Sequence, residues 1–106
     1  MAELIIVSWR DIPAQVIVKA GRRAAKRPLP DRFQEAIDRA AMRAGLRDTD
    51  AYLGGWRRVA AGSCGDDLEA EAERAAAGLE TDYLPERLRE LVANGGLELN
   101  SQGSPV

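Results

Sequence analysis

The stretch Leu4-Ile5-Ile6-Val7-Ser8-Trp9-Arg10-Asp11-Ile12-Pro13-Ala14-Gln15-Val16-Ile17-Val18-Lys19-Ala20 decides the fold class. Leu4 to Trp9 is apolar on both faces and rich in β-branched residues, the composition of a buried strand. Gln15 to Ala20 has the same character, and Gly21 ends it. Between them, Arg10-Asp11-Ile12-Pro13 reads as a connection, because Pro13 has no N–H to give to a ladder. Two such strands about four residues apart predict an antiparallel hairpin.

Outward from the hairpin the periodicity changes. Residues 22–30 read as a basic connector bounded by Pro28 and Pro30, which disfavour helix just before them; Pro30 or Asp31 opens one. Phe33, Ile37, Ala40, Ala41 and Ala44 then recur at helical spacing, and Gly45 closes the helix. Glu35 and Arg39 stand four apart on its outer face, in the favourable order for an ion pair. Asp48 or Thr49 caps a short helix through Tyr52 and Leu53, which Gly54-Gly55 stops. Trp56 to Ala60 is a candidate third strand, although Arg57-Arg58 breaks its alternation. Asp66 starts a late helix, in capping-box spacing with Glu69. Its stripe is Leu68, Ala72, Ala75, Ala76, Leu79 and Tyr83, with Gly78 a weak point inside it. Pro85 opens a last helix bearing Leu88, Leu91 and Val92, and Asn94-Gly95-Gly96 closes it.

These elements predict an α+β fold: a small antiparallel sheet, made of the N-terminal hairpin and a possible third strand, covered by three to four helices. A single domain is expected over residues 3–95, with a flexible tail over residues 96–106. Phe33, Ile37, Ala40, Leu68, Leu79 and Leu88 should be buried together with Leu4, Ile6, Val16 and Val18.

Composition narrows the function. The 106 residues carry a net charge of −2, one cysteine and no histidine. Lacking histidine, the chain lacks the commonest general base and the commonest metal ligand. With Cys64 alone beside carboxylates, zinc has no ordinary ligand set, and neither a metal nor a cofactor is expected. A single thiol permits no internal disulfide and fits the cytoplasm. The longest apolar run is too short to span a bilayer, and no signal peptide precedes it. The charge is uneven: residues 1–63 sum to +5 and residues 64–106 to −7. That split means either two partner faces of opposite sign or two halves that neutralise each other within the fold.

Three clusters are candidates for chemistry. Trp9, Arg10, Asp11 and Gln15 put an indole, a guanidinium, a carboxylate and an amide around one turn. Arg10 and Asp11 can hold a ligand by fork-type hydrogen bonds beside the indole, or the group can be a rigid turn with Trp9 in the core. Lys19, Arg22, Arg23, Lys26 and Arg27 place five positive charges within nine residues, with no acid among them. Such a run is either a solvated basic connector, partly paired with the acidic last helices, or a surface for an acidic protein partner. Nucleic acid is disfavoured, because the chain is acidic overall and no aromatic residue interleaves the run. Cys64 precedes a helix start, which favours a reactive thiolate, but Asp66 and Asp67 oppose it. The acids Asp66, Asp67, Glu69, Glu71 and Glu73 lack the loop spacing of a calcium site and read as a solvated helix face.

Two segments carry a family resemblance. One is Trp9-Arg10-Asp11-Ile12-Pro13-Ala14-Gln15-Val16. The other runs from Arg23 through Ala24, Ala25, Lys26, Leu29, Pro30, Arg32, Phe33 and Gln34 to Ala36-Ile37-Asp38. Together they resemble the bacterial virulence factor domain family over about residues 3–92. That domain also occurs in larger proteins similar to conserved virulence factor C, beside an iron–sulfur scaffold-like segment and helical repeats, neither of which this chain has. The resemblance implies a bacterial cytoplasmic accessory protein and no particular reaction.

Two functional expectations follow. The first is a non-enzymatic accessory or protein-interaction module that uses the Arg10/Asp11 turn and the basic run toward an acidic partner. The second is a small enzyme or ligand carrier built on Arg10, Asp11, Gln15 and Cys64. The missing base and the incomplete constellation favour the first. The sequence leaves the oligomeric state open.

Overall fold

Alternation along the first two strands divides the sheet into a covered face and an open one. The computed structural model describes residues 2–46 and 50–97. β1 (Ala2–Trp9) and β2 (Ile12–Ala20) form the expected antiparallel hairpin, closed by the two-residue turn Arg10-Asp11. The connection is shorter than the sequence suggests, because Ile12 and Pro13 already belong to β2. Ala14 is the extra residue where the register shifts beside Val7 and Ser8. A bulge of this kind tolerates a neighbouring proline.

The segment expected to be a basic connector is instead a strand, β3 (Arg23–Pro28). The turn Gly21-Arg22, with Gly21 at φ +61°, reverses the chain so that Ala20 pairs with Arg23. Only Ala25 of this strand is buried. An edge strand with so little apolar duty leaves no hydrophobic signature, and its charges masked it. β4 (Trp56–Cys64) forms the opposite edge, antiparallel to β1, and extends beyond the expected Trp56–Ala60. The sheet order is β3-β2-β1-β4. Every residue of β4 between Trp56 and Cys64 is exposed, so neither face demands alternation and Arg57-Arg58 is accommodated.

Helices α1 (Asp31–Arg43) and α3 (Leu68–Asp82) cover one face, and α4 (Pro85–Ala93) packs against α1; α2 (Asp50–Gly54) is a short lead into β4. The core joins Val16, Val18 and Ala25 of the sheet to Phe33, Ile37 and Ala40 of α1. Leu68, Ala72 and Ala76 of α3 and Leu88 and Leu91 of α4 complete it. Alanines on α1 and α3 let these helices approach the sheet closely. Three expected core residues are less buried than predicted. Leu4 and Leu79 pack at the core margin, and Ile6 is half-buried because its cross-strand neighbour Val59 is itself 43% exposed. On the other face, Ile5 and Ile17 sit directly opposite each other and are buried without a helix over them.

The helix ends follow local chemistry. Pro85 stands in the first turn of α4, and Gly45 follows α1 at φ +70°. The cap of α3 lies one residue later than the expected capping box: Ala70 donates its N–H to the Asp67 carboxylate at 3.2 Å, and Asp67 rather than Asp66 is the N-cap. The expected caps Asp48 and Thr49 fall outside the described residues. Of the expected tail, Gly96 is buried and held in the fold; residues 98–106 lie outside the described residues.

Candidate functional site

The hairpin turn is built into the fold by every group it carries. Trp9 is fully buried, and its indole N–H donates to the Tyr52 carbonyl at 2.7 Å. Its ring lies 5.6 Å from that of Tyr52. Arg10 is the one non-glycine residue with positive φ among the described residues, at +51°. Its backbone N–H donates to Gly55, and its guanidinium donates to the Gly95 carbonyl at 2.8 Å while lying over the Trp9 ring. Asp11 donates its N–H to Gly96, and its carboxylate accepts from Arg57 at 2.6 Å. The turn thus ties the α2–β4 junction and the end of α4 to the hairpin. Gln15 stands apart on the open face, between Val7 and Pro28 in the register.

The basic run is divided by the pleat of β3. Arg23, Ala25 and Arg27 alternate on the helix side, opposite Ala20, Val18 and Val16. Lys26, opposite Ile17, and Lys19, opposite Ala24, lie on the open side, and Arg22 is in the turn. Arg27 alone reaches an acidic helix, at 3.9 Å from Glu73, in an exposed pair of little energetic weight. Lys19, Arg22, Arg23 and Lys26 are exposed and have no hydrogen-bond or ion-pair partner among the described residues. The register adds Arg58 to the open face beside Val7, and Glu3 is the acid that the pairing places there.

Cys64 ends β4 and is half-buried. Burial, and then the carboxylates of Glu71 and Asp66, push its pKa up, so the thiol stays protonated at neutral pH. This is the reverse of an activated nucleophile. No group of three cysteine or carboxylate residues is arranged to hold a metal ion among the described residues.

One cluster went unnoticed in the sequence. Arg32, Arg39 and Arg43 recur at positions i, i+7 and i+11 along one face of α1 and line a groove against α4, which contributes Arg89. Glu35 and Arg39, expected to pair, form no ion pair among the described residues. The spacing was the available signal; the short helix that turns it into a groove lies some fifty residues downstream.

The fold and these surfaces define a class: a small α+β domain with a one-sided antiparallel sheet, a structural hairpin turn and a basic edge. The virulence factor family model matches residues 7–92, and the chain belongs to that family. No curated protein and no solved structure matches the chain. No helix among the described residues is long and apolar enough to cross a membrane.

Proposed function

We propose that this domain is a non-enzymatic accessory module of the bacterial cytoplasm that docks an acidic protein surface on the basic edge formed by β2, the Gly21-Arg22 turn and β3. One observation carries the reading. The acidic helices, which hold most of the carboxylates of the C-terminal half, leave Lys19, Arg22, Arg23 and Lys26 unpaired among the described residues. Among the described residues the acidic helices reach this run only through the Arg27–Glu73 pair, and the cations left around the turn offer an acidic partner complementary charge. The Arg10/Asp11 turn lies at the other end of β2 from this surface and ties the hairpin to the α2–β4 junction and the end of α4 instead.

The test is charge reversal. The R23E/K26E variant and the unaltered domain are used as bait in a native bacterial extract, and bound proteins are quantified by mass spectrometry. A stoichiometric acidic protein, recovered with the unaltered domain and lost with the variant at equal melting temperature, supports the proposal. The interaction, rebuilt from purified components, should weaken as salt rises. Equal recovery by both baits sinks it, as does a salt-dependent fall in the variant's melting temperature, which would reveal internal pairing.

A further inference from the structure

The groove between α1 and α4 has the make-up of a binding site. The two helices run side by side in the same direction. Near the start of α1, Arg32 donates to the carbonyl of Glu80 at 2.9 Å, just before α4 begins. At the other end, Arg43 donates to the carbonyl of Ala93 at 3.2 Å. These two arginines cross the ends of the groove and bound it, leaving a half-open cavity of about 380 Å³. That volume lies in the range of small-molecule sites.

The lining is amphipathic. Ala36 and Leu88 are buried and, with Val92, present an apolar wall. Around it stand four arginines against one carboxylate, Glu35. Arg39 and Arg89 are exposed and have no hydrogen-bond or ion-pair partner among the described residues. Guanidinium forks suit carboxylate and phosphate oxygens. A docking helix from another protein fits less well, because α4 has only nine residues and both ends of the groove are crossed.

We infer that the α1–α4 groove binds a small amphiphilic anion, with its carboxylate or phosphate head on Arg39 and Arg89 and a short apolar body against Ala36, Leu88 and Val92. This site is separate from the basic edge and does not depend on the docking proposal.

The experiment is a ¹⁵N NMR titration of the full chain with hexyl phosphate. Inorganic phosphate, hexan-1-ol and an acidic amphipathic peptide are titrated in parallel. Saturable shifts confined to the facing residues of α1 and α4 are expected with hexyl phosphate, much weaker ones with either half of the molecule alone. The R39A/R89A variant should keep its melting temperature and bind hexyl phosphate at least about tenfold more weakly, as loss of charged hydrogen bonds requires. Absence of shifts at millimolar hexyl phosphate overturns the inference, and so does equal affinity in the variant. Binding by the peptide without binding by hexyl phosphate overturns it in favour of a protein occupant.

Discussion

The ring of Trp9 lies so close to Gly96 that a Cβ built there would stand 2.7 Å from its Cζ3 atom. Gly96 also has φ +90°, a conformation that residues with a side chain rarely adopt. Both constraints come from the way the hairpin turn clasps the end of α4. Gly96→Ala should therefore destabilise the domain by about 2–5 kcal/mol, through backbone strain and overpacking together. Chemical denaturation measures it, and a loss below about half a kcal/mol would show that the clasp is loose.

Gly78 gives the opposite expectation. It lies inside α3, exposed, and a Cβ at this position would meet nothing within 4 Å. Gly78→Ala should stabilise the domain by about 0.5–1 kcal/mol, because alanine loses less backbone freedom in a helix. Thermal unfolding of the two glycine variants side by side should shift in opposite directions.

Ile37 tests the core. It is fully buried on α1 and belongs to the cluster that joins the helices to the sheet. Ile37→Ala should cost about 2–5 kcal/mol, as lost burial plus a residual cavity. Ile6→Ala should cost clearly less, since Ile6 is only half-buried beside the uncovered β4. Equal losses at the two positions would mean that the margin near β4 is covered in solution.

The thiol supplies a pH-dependent prediction. A raised pKa means that the folded state holds the Cys64 proton after the unfolded chain has released it. Its contribution to stability is therefore complete below the unfolded thiol's pKa. It is lost as pH rises from there through the higher folded value. Alkylation by iodoacetamide at neutral pH should be slower than that of a free cysteine, with its midpoint displaced upward. Glu71→Gln removes one of the two carboxylates responsible and should move the midpoint down; no movement would leave burial and Asp66 as the causes. Cys64→Ser should leave the fold intact, as expected of a thiol at a strand end.

Some of this protein was decided by its sequence alone. The hairpin was written in the β-branched runs on either side of Arg10-Asp11, and α1, α3 and α4 in apolar spacing, Pro85 and Gly45. The resemblance carried by Trp9–Val16 and Arg23–Asp38 agrees with the family match over residues 7–92. These features are legible because each is local: a residue's type and its neighbours a few positions away determine them.

What only the tertiary structure decided depends on neighbours far along the chain. β3 and the far half of β4 are edges that bury almost nothing, so no apolar pattern announced them. Four cations of the five-cation run fell into two sets on opposite sides of the sheet once β3 formed, with Arg22 left in the turn, because successive strand residues point to opposite faces. Arg10 and Asp11 read equally as ligand-binding groups or as a rigid turn until residues 57, 95 and 96 came beside them to accept and donate. The arginines of α1 form a groove only because α4 is laid against them. In each case the side chain's type was local information, and the partner that gives it a role was supplied by contacts between distant segments.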